Sequence, residues 1–152
     1  MPSNRREEIN MAKNVNPKKE QKKHLRELAK QVKEHNKEVK RLTKALKVST
    51  KATKAAKGDN KVEKLVECMG YSREIIEHNS EALKASVEGS NKKSVRKLSK
   101  LIKKGAVAYN KLVKQLKKLS GATTTKASLT IADDIKAGKE TALLPVITYQ
   151  AQ

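Results

Sequence analysis

A repeated spacing of apolar residues, three and then four positions apart, constrains the fold of this chain more than any other feature. Such a spacing places side chains along one side of an α-helix, where they form a seam for a partner helix. The first seam comprises Leu25, Leu28, Val32, His35, Val39, Leu42, Leu46, Ser49, Thr53 and Ala56. The middle seam comprises Val62, Leu65, Met69, Ser72, Ile76, Asn79, Leu83 and Ser86. The third seam comprises Val95, Leu98, Ile102, Gly105, Tyr109, Leu112, Leu116 and Leu119. Three helices of coiled-coil type are therefore predicted.

Residues that start and stop helices lie near the ends of these seams. Pro17 suits the first turn of a helix, and Gly58 and Gly121 favour the left-handed conformation that ends one. Asn60, with Glu63 three residues later, has the form of an N-terminal capping pair. Gly89, followed by Ser90 or Asn91, repeats this stop-and-restart signal. The predicted helices span residues 17–57, 60–88 and 91–120.

Short connections between successive helices favour antiparallel neighbours. The sequence therefore predicts an all-α fold, an elongated antiparallel three-helix coiled-coil-like bundle with a long first helix and an irregular C-terminal arm. The first helix, at about 60 Å, would overhang its partners. Residues 1–16 are predicted to form an N-terminal tail, and residues 121–152 the arm, with a short helix at 128–137 and an extended end.

Basic residues are concentrated in two of the three predicted helices. The 152-residue chain has 36 Lys and Arg against 16 Asp and Glu, a net charge of +20, and self-repulsion of this size indicates an anionic partner. Residues 17–57 contain 15 basic and 4 acidic side chains, residues 90–120 contain 11 and none, and residues 59–88 contain 4 and 7. Most of the cations are lysines, which carry charge without the planar fork of arginine.

Within the two basic helices, cations follow their own three-four rhythm on the side away from the seam. The first basic row comprises Lys30, Lys33, Lys37, Lys40, Lys44, Lys47, Lys51 and Lys54. The second basic row comprises Lys93, Arg96, Lys97, Lys100, Lys103, Lys104, Lys111, Lys114, Lys117 and Lys118. Residues 40–57 and 90–120 contain no acid, so pairing along the helix does not neutralise these stretches. The rows therefore predict a polyanion-binding surface.

The best match to such rows is a non-enzymatic structural protein that binds the phosphate backbone of DNA or RNA without sequence specificity. Packaging nucleic acid, or lining the interior of a nucleoid or a virus particle, fits this pattern. The chain has three Tyr and no Trp or Phe, which argues against stacking on unpaired bases. Self-association or packing against other subunits is also expected. Two alternatives stay open: a cationic amphipathic membrane-interacting protein, and a coiled-coil scaffold that contacts an acidic protein shell.

Residues that carry catalytic or metal chemistry are few. His24, His35 and His78 lack the spacing of a metal-ligand set, and Cys68 has no cysteine partner. We therefore expect no enzymatic activity, no metal and no cofactor. His35 is expected to be a polar contact within a seam, and Cys68 a small core residue. The sequence shows no signal peptide and no membrane-spanning run, so an intracellular location or a place inside a virus particle is expected.

Overall fold

The computed structural model describes residues 17–141, 144 and 145, and these residues form helices and connecting segments with no strand. Four helices follow one another along the chain: α1 (Pro17–Ala55), α2 (Gly58–Glu88), α3 (Lys92–Ser120) and α4 (Ile131–Lys136). The predicted all-α helical bundle is confirmed. The predicted N-terminal tail, residues 1–16, and the predicted extended end beyond Pro145 lie outside the described residues.

Two of the helix ends carry the chemistry that the sequence predicted. Gly121 ends α3 in the left-handed conformation, with φ of 75°, and its N–H donates to the carbonyl of Lys117 at 2.8 Å. Asn91 is the N-cap of α3, and its side-chain oxygen accepts a hydrogen bond from the N–H of Ser94 at 3.1 Å. Both contacts satisfy backbone groups that the ends of a helix otherwise leave without partners.

The turn between α1 and α2 differs from the prediction. α1 ends at Ala55 rather than at residue 57, and α2 begins at Gly58, so Asn60 lies inside the first turn and does not form an N-cap with Glu63. The N-cap residue is Lys57, in an extended conformation, and Gly58 follows with φ of 61°. Glycine adopts this left-handed conformation without steric cost. The chain therefore reverses within two residues, and α2 starts earlier than predicted.

α1 and α3 both pack against α2, and their own backbones stay apart. The α1–α2 contact is antiparallel, because His35 meets His78 and Ser49 meets Cys68. The α2–α3 contact is antiparallel as well, and α4 contacts both of these helices. No Cα atom of α1 lies within 8 Å of a Cα atom of α3. α2 is therefore the central helix, and the bundle is open between α1 and α3.

The apolar core lies mainly between α2, α3 and α4. It contains Val62, Leu65, Met69, Ile76, Ala82 and Leu83 of α2, Leu98, Ile102, Ala106, Tyr109, Val113 and Leu116 of α3, and Ile131, Ala132 and Ile135 of α4. Gly105 permits a close approach, because a Cβ atom at this position would lie 3.1 Å from Cγ1 of Ile76. Each fully buried aliphatic side chain contributes about 1.5–3 kcal/mol of transfer free energy. This core fixes α3 against the centre of the molecule.

The interface between α1 and α2 is more polar. The buried residues of α1 are Leu28, Leu42, Ser49 and Thr53. The Sγ atom of Cys68 donates to Oγ of Ser49 at 3.3 Å and lies 3.3 Å from Oγ1 of Thr53, which donates to the carbonyl of Ser49. The polar seam residues of α1 therefore have partners, and Cys68 is buried, as predicted.

His35 is half-buried in the same interface, as its place in the seam predicted. The Nδ1 atoms of His35 and His78 are 2.8 Å apart, and the ring centroids are 5.1 Å apart. At this distance one ring donates from Nδ1 and the other accepts. His35 and His78, the histidine pair, thus form a hydrogen bond that links the middle of α1 to α2.

The described part of the C-terminal arm contacts α3. The predicted helix at residues 128–137 is present as the shorter α4. The segment before it is held by Asn110, whose side-chain amide donates to the carbonyl of Ala127 at 3.0 Å and accepts from its N–H at 2.7 Å. These two hydrogen bonds place the start of the arm beside α3.

Candidate nucleic-acid interface

The first basic row lies on the exposed side of α1. All eight lysines of the row are exposed, whereas Leu28 and Leu42 are buried against α2. The row advances by 24 residues from Lys30 to Lys54, or about 36 Å along the helix axis. Within the described residues, no carboxylate forms an ion pair with a lysine of this row.

Arg41 lies within the same stretch of α1 but differs from the row. Its Nη2 atom is 2.8 Å from Oε2 of Glu38. The hydrogen bond from Arg41 lowers the pKa of the Glu38 carboxyl, and the same contact raises the pKa of the Arg41 guanidinium. This cation already has an anionic partner, so it contributes less than the lysines of the row to the attraction of a polyanion.

The second basic row is also exposed along its whole length. All ten of its residues are exposed, and none forms an ion pair with a carboxylate in the part of the chain that the structure describes. They occupy the surface of α3 opposite Leu98, Ile102 and Tyr109, which are buried in the core. The exposure of both rows agrees with the sequence, and their role as binding residues stays a prediction.

The cations of α2 provide a contrast. Lys64 is paired with Glu67 at 3.6 Å, and Lys84 is paired with Glu81 at 3.1 Å. Each pair joins residues three positions apart, a spacing that brings side chains together on one side of a helix. α2 therefore neutralises these lysines, whereas α1 and α3 leave their rows without such pairing.

A cleft at the N-terminal end of α3, the N-terminal cleft, brings cations of α3 and α4 together. It has a volume of about 630 Å³. Its polar lining comprises Lys92, Arg96, Lys100, Lys136, Ser90 and Ser99. Lys136 comes from α4, where it also pairs with Asp133 at 3.4 Å. Several ammonium groups and a guanidinium around one concavity suit an anionic group such as a phosphate.

A second cleft, the C-terminal cleft, lies where α3 meets the arm. It has a volume of about 520 Å³ and is lined by Lys114, Lys117, Lys118, Lys126, Thr123, Thr124 and Val113. The hydroxyl groups of Thr123 and Thr124 form no side-chain hydrogen bond with a described residue, so they are free to donate to an anion. The second basic row therefore borders a concave basic surface at each end of α3.

Sequence reasoning missed some cations of these clefts. Lys126 and Lys136 belong to the arm, whose net charge is zero and whose apolar spacing is irregular. No pattern in the sequence connects these lysines to α3. They reach it because Asn110 fixes the chain at Ala127 and because α4 packs on the core.

The two rows approach each other at their C-terminal ends. Lys54 of the first row and Lys118 of the second line the same groove, together with Lys61 of α2. Even there the two backbones stay apart, because every Cα atom of α1 is more than 8 Å from those of α3. The structure thus presents two separate basic surfaces that converge at one end of the bundle.

Two further results bear on the expectations for chemistry and location. The described residues contain no group of three or more His, Cys, Asp or Glu side chains positioned to hold a metal ion. Within residues 17–141, 144 and 145, no helix has an apolar stretch long enough to cross a membrane.

Comparisons with protein-family models, with curated proteins and with solved structures found no match to this chain.

Proposed function

We propose that this protein binds the phosphate backbone of nucleic acid without sequence specificity, as a structural component that packages nucleic acid or lines a nucleoid or virus-particle interior. One observation carries the proposal: the 18 cations of the two basic rows are all exposed, and none is paired with a described carboxylate. Neutralising phosphates with such cations releases condensed counterions, which drives binding independently of sequence.

The dimensions of the rows support a duplex as the ligand. Duplex DNA presents one phosphate charge per ~1.7 Å of its axis, so a straight row of about 36 Å reaches several phosphates along one side. Lysine contacts of this kind position a protein on the backbone and carry no base information. The N-terminal and C-terminal clefts add places where a phosphate meets several cations.

The membrane alternative is supported less well. It depends on the apolar side of α3, but Leu98, Ile102 and Leu116 on that side are buried in the core. Inserting them into a bilayer would require α3 to leave α2. An acidic protein shell remains the other alternative, since it would meet the same exposed cations.

A matched pair of double variants tests the proposal. K44Q/K47Q removes two cations of the first basic row, and K64Q/K84Q removes two ion-paired cations of α2. Both variants lower the net charge equally. Fluorescence anisotropy with a short labelled duplex is expected to show weaker binding for K44Q/K47Q. The plot of log K against log salt should also become less steep, by about 1–2 in the magnitude of its slope. K64Q/K84Q should bind like the unchanged protein.

Two results would contradict this function. Equal losses in both double variants would mean that net charge acts rather than a defined row. Stronger binding to vesicles of phosphatidylglycerol than to duplex at the same salt would favour the membrane alternative. Circular dichroism of both variants provides the control for helical content.

A further inference from the structure

A groove opens between α1 and α3, over α2, where the Cα atoms of the two outer helices are more than 8 Å apart. It has a volume of about 360 Å³. Its floor is formed by Leu65 and Cys68 of α2, each only 1% exposed, and one wall is formed by Leu112, Gln115 and Leu119 of α3. Leu119 is 46% exposed, so the wall presents apolar surface to solvent.

The opposite wall offers no spare hydroxyl donor. Thr50 and Thr53 of α1 line it, and their hydroxyl groups donate to the carbonyls of Leu46 and Ser49, each at 2.7 Å. A hydroxyl has a single proton to donate, and both protons are already used. Apart from Gln115, the uncharged lining of the groove therefore suits an apolar group better than a polar one.

The charged side chains of this groove are all basic. Lys54, Lys61 and Lys118 contribute one cation from each of the three long helices, and no carboxylate is among the described residues that line it. None of the three lysines forms an ion pair with a described residue. The apolar floor and the three unpaired lysines together complement a molecule with an apolar chain and an anionic head.

We propose that this groove binds a single-chain anionic amphiphile, with its alkyl chain on Leu65, Leu112 and Leu119 and its carboxylate or phosphate head among the three lysines. The inference goes beyond nucleic-acid binding, because Lys61 belongs to neither basic row. The lining of α2 runs from Lys61 to Cys68, about 10 Å along the axis, which matches an alkyl chain better than a partner helix of several turns. A second copy of this chain would add its own +20 charge to the same surface.

Cys68 provides the readout, because it is the single cysteine of the sequence and lines the groove. Since it is 1% exposed, it reacts when the groove opens, and an amphiphile that binds the closed groove slows this reaction. The full-length protein is treated with iodoacetamide, and the alkylated fraction is followed by intact mass. Dodecyl phosphate or dodecanoate, below the micelle concentration, is expected to slow alkylation about tenfold at a concentration about ten times the Kd. Dodecyltrimethylammonium, with the same chain and the opposite charge, and inorganic phosphate, without a chain, should give no protection.

Two matched pairs of variants locate the effect. Leu119→Glu places a carboxylate in the wall of the groove, whereas Val107→Glu alters a residue of α3 that is 41% exposed and does not line it. L119E should abolish protection and V107E should retain it. Lys61→Gln, which changes no core residue, should weaken protection severalfold, while Lys64→Gln, outside the groove, should not.

Four results would overturn the proposal. They are protection by inorganic phosphate alone, equal protection in L119E and V107E, and protection by phosphatidylglycerol vesicles without protection by the monomeric amphiphiles. The fourth is alkylation that slows with protein concentration when no amphiphile is present, because this would identify a second copy of the chain as the occupant.

Discussion

The two basic helices carry equal charge but are attached to α2 in different ways. Residues 17–57 and 90–120 each have a net charge of +11. α3 is held by a continuous apolar core that also includes α4. α1 is held by two buried leucines, a Ser49–Thr53–Cys68 cluster, the histidine pair and the half-buried Val32, Val39 and Leu46. Apolar burial stabilises more than exchange of hydrogen bonds with water. We therefore expect the second basic row to lie on the more stable part of the molecule, and the first on the part that opens at lower free energy.

The largest expected effect comes from deleting one leucine on each side of α2. Leu98 of α3 is 2% exposed and Leu42 of α1 is 1% exposed, so the two substitutions are matched in chemistry and burial. Leu98→Ala should lower the free energy of unfolding by about 3–5 kcal/mol, because it leaves a cavity in the continuous core. Leu42→Ala should lower the free energy of unfolding by about 2–3 kcal/mol, near the low end of the values for deleting a buried leucine side chain.

Hydrogen exchange read by mass spectrometry distinguishes the two interfaces. In L42A the amides of α1 should exchange faster while those of α2 and α3 stay protected. In L98A all three long helices should lose protection together. Uniform loss of protection in both variants would show that the two interfaces form one cooperative unit, which contradicts the comparison.

The next largest effect on stability is expected where α2 and α3 approach each other closely. Gly105→Leu forces a side chain against Ile76, whose Cγ1 atom would lie 3.1 Å from the new Cβ atom. Overpacking of this kind costs about 1–3 kcal/mol. The control is Gly70→Ala in α2, where a Cβ atom has no neighbour within 4 Å. Urea unfolding should show G70A stabilised by up to about 1 kcal/mol, since alanine favours a helix interior. A G105L variant as stable as the unchanged protein would mean that the two helices separate without cost.

The smallest effect concerns the hydroxyl of Tyr109, which is buried without a hydrogen-bond partner among the described residues. Tyr109→Phe removes this unsatisfied group, so stability at neutral pH should change by less than about 1 kcal/mol, in the stabilising direction. Burial raises the pKa of Tyr109. The unfolded chain releases this proton near the ordinary pKa of about 10, and the folded protein releases it only at higher pH, so stability falls as pH rises through that interval.

Comparison of Y109F with the unchanged protein separates the effect of Tyr109 on stability from that of the lysines, which also titrate at alkaline pH. Above about pH 10 the advantage of Y109F over the unchanged protein should grow by up to about 1.4 kcal/mol per pH unit. Urea unfolding at neutral and at alkaline pH measures it. An advantage that stays constant with pH would show that the hydroxyl titrates alike in the folded and unfolded chains.

Much of the helical architecture follows from the sequence, because the three-four rhythm determines which residues share a side of a helix. The seams and the opposed basic rows were predictable for that reason, as were the ends at Asn91 and Gly121. Distances between helices are not encoded in this rhythm. The rhythm therefore does not predict the gap between α1 and α3. The earlier start of α2 depends on the left-handed backbone of Gly58. Lys126 and Lys136 enter the clefts through contacts of an arm that has no periodic pattern.

The central claim is that the exposed basic rows bind phosphate backbone rather than a base sequence. Its most direct test is a titration of affinity against salt for two duplexes of unrelated sequence and equal length. The account predicts equal affinities at each salt concentration and a steep linear fall of log K with log salt, at about 0.9 per phosphate neutralised. A preference for one duplex that persists as salt rises, or an affinity that salt does not change, would contradict it.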